Sequence, residues 1–177
     1  MRLRHVLIAA TLGLAAPLAT ATPASAGVLD VTCTPPSTNV NTYTPPLTAT
    51  PQTVVVNSSA QYSCVSATVP GLTSGTRSVE VTSPGRSCLD LLTGFPITQT
   101  ITWNTGQTST ISGTSTVATA GATHVTTMTG TVTAGLFTGD SVVSTTVAPS
   151  APILLCTLGL GTVSSTTSAL VLSITST

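Results

Sequence analysis

Residues 97–110 read Ile-Thr-Gln-Thr-Ile-Thr-Trp-Asn-Thr-Gly-Gln-Thr-Ser-Thr, and this stretch decides the fold class. Ile97, Ile101 and Trp103 fall on one face of a period-two pattern, and threonines occupy the other face. The glycine-containing segment 104–106 then suits a hairpin loop. The stretch therefore predicts two antiparallel strands with one buried face and one face rich in hydroxyl groups.

The same alternation recurs at 124–132 and at 169–175, and turn residues separate the runs. Helical periodicity is nearly absent, because Thr, Val, Gly and Pro dominate the chain; only 87–92 has the character of a helical turn. We expect an all-β fold, a single antiparallel Ig-like β-sandwich of roughly eight to ten short strands.

Residues 1–26 have the pattern of a secretory signal peptide. Basic residues come first, an apolar run covers 6–18, and Ala-Ser-Ala at 24–26 matches a cleavage site. The apolar run is too short for a membrane span, which needs about 20 residues. We therefore expect cleavage, with 27–177 as one secreted β-sandwich domain.

The segment 27–177 carries little charge. It has two arginines, no lysine and four acidic residues, which gives a net charge of −2 with its histidine neutral. By contrast, it contains 37 threonines and 20 serines. With no basic patch to neutralise phosphates, nucleic-acid binding is excluded.

Four cysteines lie in this segment, at Cys33, Cys64, Cys88 and Cys156. An even number in an exported chain predicts two disulfides. Three pairings are possible; we expect the middle two cysteines to bond with each other, and the outer two likewise. The alternative is an Ig-type bridge between Cys88 and Cys156, because Trp103 lies between them, although the usual tyrosine before the second cysteine is missing.

Residues suited to catalysis are few. His124 is the only histidine of the segment, and at a strand start we expect it on the surface. Glu80 is the only glutamate, and Asp90 is expected to cap a turn or pair with an arginine. No nucleophile elbow, carboxylate pair or metal-ligand spacing is present. We therefore predict no enzyme activity, no catalytic residue, no metal and no cofactor.

The aromatic residues offer one candidate binding surface. Trp103, Tyr43 and Tyr62 are of the kind that stacks on sugars in polysaccharide-binding modules. Strand parity places Trp103 and Tyr62 inward and Tyr43 outward. The candidate ligand contacts are Tyr43 and Trp103.

Several segments carry a resemblance to a known group of proteins. They are Thr42–Thr48, Tyr62–Ser66, Ser87–Leu92, Thr102–Thr110, Gly130–Phe137 and Cys156. In this order they resemble small secreted actinomycete proteins described as Ig-like and hypothetical, with a departure at Pro45-Pro46 where Pro-Gly is expected. The resemblance implies export and a β-sandwich, and it implies no catalytic residues.

Together these features predict a secreted, extracellular, non-catalytic protein that is structural or binds a partner. We expect strand pairing with a partner as the binding mode, because few charges protect the strand edges. The partner is an extracellular protein or a cell-wall polysaccharide, and a polysaccharide-binding module is the alternative function. No membrane span is expected after cleavage.

Overall fold

The computed structural model of the protein describes residues 27–177; the predicted signal peptide lies outside these residues. Within them the chain forms nine strands, one 3₁₀ turn and one short helix. They are β1 (Leu29–Cys33), β2 (Thr38–Leu47), β3 (Gln52–Ser66), β4 (Ser74–Arg86), the 3₁₀ turn (Cys88–Leu92), β5 (Pro96–Trp103), β6 (Thr108–Ala120), β7 (Thr123–Gly135), β8 (Ser141–Pro149), α1 (Ala151–Thr157) and β9 (Val163–Thr175). The predicted all-β class, the strand number and the hairpin at 104–106 are confirmed.

All pairings are antiparallel, and they close on themselves. From β2 the sheet runs through β9, β8, β7, β6, β5 and β4 to β3, which pairs again with β2. β1 and β2 share one position of this ring, because both lie between β3 and β9. The loop between β1 and β2 is held against β3 by Ser37, whose hydroxyl accepts a hydrogen bond from the Ser63 N–H at 2.8 Å. The result is a closed barrel with eight strand positions.

This closed sheet corrects the expected Ig-like sandwich of short strands. Period-two alternation gives each strand an inner and an outer face, but a sandwich and a barrel share that pattern. The strands are also longer than expected: β3 has 15 residues, and β4, β6, β7 and β9 have 13 each. Because every one of them pairs with a strand on each side, the nine strands form one closed ring instead of two separate layers.

One end of the barrel interior is densely packed with apolar side chains. Trp103 is only 2% exposed, lies against the Tyr62 and Phe137 rings, and donates its indole N–H to the Ser109 hydroxyl at 2.8 Å. Gly75 faces it across the β4–β5 pair, and a Cβ there would lie 2.7 Å from the Trp103 ring. The packed end is completed by Val31, Ile101, Ile111, Val132, Val142, Leu172 and Ile174.

The opposite end is covered by the 3₁₀ turn and α1, which we call the lid. Cys88 of the turn is bonded to Cys156 of α1, and both pack on Leu47, Val54 and Val163. The predicted turn at 87–92 is confirmed: Asp90 accepts the Ser87 N–H at 2.7 Å. The helix α1 was not predicted, because seven residues are too few to show a period.

The two predicted disulfides are present, but the expected pairing is wrong. Cys33 bonds Cys64, its direct neighbour across β1 and β3, and Cys88 bonds Cys156. Strand register decides the first bridge, and register cannot be derived from the spacing of cysteines along the chain. The second bridge matches the Ig-type alternative in its partners, yet it fastens a lid instead of joining two sheets.

Candidate functional site

The barrel wall has a gap between β4 and β5. These strands pair only at Gly75–Trp103 and Thr76–Thr102, next to the packed end. Beyond Thr76, β4 pairs with β3 alone, and β5 pairs with β6 alone. We call this gap the slot; along it, both strands present unpaired backbone edges among the described residues.

The slot leads into a cavity of about 750 Å³ between the packed end and the lid. Its walls come from β2 to β9, and its lining combines apolar surface with many polar side chains. The polar residues that line it include Asn39, Asn41, Ser58, Arg77, Gln99, His124, Thr126, Ser144, Thr146, Thr166 and Ser168. This size lies within the range of small-molecule pockets, about 300–1,000 Å³.

Arg77 is one of the two arginines that line the cavity, and Arg86 is the other. Arg77 lies where the slot begins, one residue beyond the last β4–β5 pair. Its guanidinium donates to the Gln99 side-chain oxygen at 2.7 Å, to the Ser58 hydroxyl at 2.8 Å and to the side-chain oxygen of Asn39. All three acceptors are neutral, and the Arg77 Nε is buried without a hydrogen-bond partner.

His124 lines the same cavity from β7. It is 8% exposed, which corrects the expected surface position, and its Nδ1 is buried without a partner. Burial lowers the pKa of His124, since the charged imidazolium loses water. The ring is therefore neutral at pH 7.

Tyr43 also lines the cavity, near the lid. It is 5% exposed, so the expected outward position is wrong; β2 turns this ring to the interior. Burial raises the pKa of Tyr43, although a hydrogen bond to Thr166 and the charge of Arg86 oppose this rise. The phenol is therefore protonated at neutral pH and can donate a hydrogen bond.

The slot has an apolar rim with one ion pair. Val79, Val81 and Phe95 are 44%, 52% and 43% exposed, and all three line the cavity. At the lid end of the rim, Arg86 lies 3.9 Å from Asp90 and its guanidinium carbon is 6.0 Å from the centre of the Phe95 ring. The second arginine is thus paired, whereas Arg77 is not.

The predicted aromatic contacts do not come together on a surface. Trp103 and Tyr62 point inward as the parity predicts, and with Tyr43 all three rings are buried. Trp103 belongs to the packed end and does not line the cavity, whereas Tyr43 does. The sequence analysis did not identify Arg77 and Gln99 as cavity residues. The available signal was that Arg77 shares a strand face with Val79, and Gln99 with Ile97.

Acidic residues lie away from the cavity wall or at its rim. Glu80 is exposed on β4, as expected for a solvated strand residue. Asp30 is buried in β1, and Asp140 interacts with it. The pKa of Asp140 is raised, mainly by desolvation and then by the charge of Asp30 and a hydrogen bond to Asp30. Within 27–177, no three His, Cys, Asp or Glu residues group as a metal site.

Neither helical segment of the described residues is long and apolar enough to cross a membrane. Comparison with known proteins gives no further assignment: no family model, curated protein or solved structure matches the chain. The resemblance to secreted actinomycete proteins therefore stays a prediction.

Proposed function

We propose that the protein is an exported, non-catalytic binding protein that holds a small organic molecule inside its barrel. The observation that carries this proposal is the cavity of about 750 Å³, open through the slot and closed at both ends. Ligand sites in proteins are concave, with apolar walls and a few polar groups that fix orientation. The lining of this cavity supplies both, because most of its surface is apolar and Arg77, Gln99 and His124 are among its polar groups.

Two unpartnered buried atoms support a ligand. Arg77 Nε and His124 Nδ1 both belong to residues that line the cavity. A buried polar group without a partner costs about 1–3 kcal/mol. Both residues therefore carry a polar group beside the cavity that no other described residue satisfies.

The non-catalytic part of the proposal rests on His124. A general base needs an orienting acid and a nearby nucleophile. The His124 Nδ1 has no partner among the described residues. Of the four acids in 27–177 only Asp90 lines the cavity, and its carboxylate accepts from Ser87 and pairs with Arg86. Export rests on the predicted signal peptide and is supported by the two disulfides, which persist in oxidising compartments.

Nile red, a neutral apolar dye, tests whether the cavity accepts a small molecule. We expect its fluorescence to rise on mixing with oxidised 27–177. Ser144 and Val143 are adjacent on β8, but Ser144 lines the cavity and Val143 is 47% exposed outside. Ser144→Phe should weaken the signal because its ring occupies part of the cavity, whereas Val143→Phe should keep it.

Equal dye binding by both variants would place the dye on the outer surface and contradict the proposal, as would no binding by the unsubstituted protein. Circular dichroism and urea unfolding must show that Ser144→Phe is folded. If Ser144→Phe is not folded, Thr126→Phe on β7 takes its place in the test, because Thr126 lines the same cavity.

A second candidate function is strand pairing with a protein partner, and the unpaired edges of β4 and β5 favour it. A charge at Val79 on the slot rim should weaken such pairing. Sedimentation velocity and co-sedimentation with washed cell envelopes would compare the protein with Val79→Lys and with the control Val143→Lys. A strictly monomeric protein that leaves the envelopes unbound would refute this candidate.

The polysaccharide-binding alternative has no structural observation in its favour. Its three aromatic residues, Tyr43, Tyr62 and Trp103, are each 5% exposed or less. Sugar stacking needs an accessible ring face, and none of these rings offers one on the outer surface.

A further inference from the structure

The charge of Arg77 identifies the chemistry of the molecule that the cavity would take. Arg77 is half-buried, and withdrawing a cation from water is costly unless an opposite charge lies beside it. Within 27–177 no carboxylate lies within 4.0 Å of Arg77, and the single ion pair of those residues joins Arg86 to Asp90. The Arg77 guanidinium is held by neutral groups alone.

Those neutral groups fix its position without neutralising it. Asn39 and Ser58 accept from one terminal nitrogen, and Gln99 accepts from the other. The three acceptors come from β2, β3 and β5, so the guanidinium is fixed from three sides of the cavity. Its Nε N–H is buried and has no partner among the described residues.

Oriented guanidinium groups bind carboxylates and other oxyanions through charge-assisted hydrogen bonds, which are about twice as strong as neutral ones. An oxyanion beside Arg77 would balance the charge of its guanidinium, whereas a neutral acceptor would not.

The surroundings of the slot define the rest of the molecule. From Arg77 toward the lid, the slot is bordered by Val79 and Val81 on β4 and by Ile97 and Phe95 on the other side. Four apolar side chains that stay partly exposed beside a cavity suit an apolar ligand body. Further inside, His124 offers a second polar contact.

We infer that the cavity binds a small organic acid with an apolar body, with its acid group on Arg77 and its apolar part along the slot. This inference rests on the proposed function, because it assigns a ligand class to the same cavity. It makes Arg77 the residue that selects acids over neutral molecules of the same shape.

A matched pair of fluorescent probes tests this selection: 11-(dansylamino)undecanoic acid and its methyl ester. They share the apolar body and differ in the charged group. At pH 7 the oxidised protein 27–177 should bind the acid at least tenfold more tightly than the ester. Arg77→Met removes the charged guanidinium and keeps an unbranched side chain as long as the Arg77 stem, so this variant should bind both probes equally.

Arg86→Met is the control, since Arg86 lies on the same rim but is already paired with Asp90. This variant should keep the tenfold preference for the acid. Circular dichroism and urea unfolding establish that each variant is folded, and Arg77→Gln replaces Arg77→Met if the latter is not.

The outcomes separate this inference from the proposed function. Equal binding of acid and ester by the unsubstituted protein, weakened by Ser144→Phe and not by Val143→Phe, would overturn the inference and leave the proposed function standing. A preference for the acid that survives in Arg77→Met would also overturn it. Binding of neither probe, together with no binding of Nile red, would overturn both.

Discussion

The packed end and the cavity are built from neighbouring inward positions of the same strands. On β8, Val142 belongs to the packed end, and Ser144, the next inward residue, lines the cavity. On β9, Leu172 fills the packed end, while Ser168 and Thr166 line the cavity. The backbone is the same in both regions, and only side-chain volume differs. The interior of this barrel is therefore hollow because of its serines and threonines.

The largest difference between the two regions should appear in their tolerance of truncation. Trp103→Ala should lower the free energy of unfolding by about 3–5 kcal/mol, because it leaves a void among buried neighbours. Ser144→Ala in the cavity should change it by less than about 0.5 kcal/mol, since little packing is lost there. Urea unfolding at pH 7 measures both, and equal costs would show that the cavity is not hollow.

The two disulfides offer the next comparison. Removing the lid bridge with Cys88→Ser and Cys156→Ser should cost about 2–4 kcal/mol of stability. It should also speed amide hydrogen exchange in the lid, at residues 88–92 and 151–157. Cys33→Ser with Cys64→Ser, near the packed end, should cost a similar amount but leave exchange in the lid unchanged. Acceleration of lid exchange by both pairs of substitutions would contradict a separate lid.

The sequence predicts the packed end better than it predicts the cavity. The packed end follows from alternation: Ile101 and Trp103 share a face, and that face is buried. The cavity cannot be predicted in this way. Tyr43 and His124 lie on strands whose inward face is mostly polar, so the alternation along these strands does not show which face is inward. Closure of the ring, and with it the position of Arg77 beside Gln99, depends on pairings between strands distant in sequence. Local patterns contain no information on such pairings.

The protonation of His124 should make the stability of the folded protein depend on pH. Burial lowers its folded-state pKa below the unfolded value of about 6.5, so the unfolded chain binds a proton first as pH falls. Stability is therefore full above pH 7 and declines as pH falls through about 6.5 toward the folded-state pKa. His124→Gln should flatten this decline, which urea unfolding between pH 7.5 and 5.5 measures. An unchanged slope would mean that the ring takes up its proton in the folded cavity without cost.

The smallest effect should come from the acid pair near the packed end. The pKa of Asp140 is raised by desolvation, then by the charge of Asp30 and a hydrogen bond to it, so the unfolded chain releases this proton first as pH rises. The protonated Asp140 carboxyl stabilises the folded state below about pH 3.9, the pKa of the unfolded chain, and this stabilisation is lost as pH rises through the higher folded-state pKa.

The variant Asp140→Asn should therefore have a higher melting temperature than the unsubstituted protein at pH 7 and the same melting temperature at pH 3. The control Glu80→Gln, on the exposed face of β4, should show no such pH-dependent difference. If Asp140→Asn instead loses stability at pH 7, the Asp140 carboxylate is stabilising and its repulsion with Asp30 does not govern this end of the barrel.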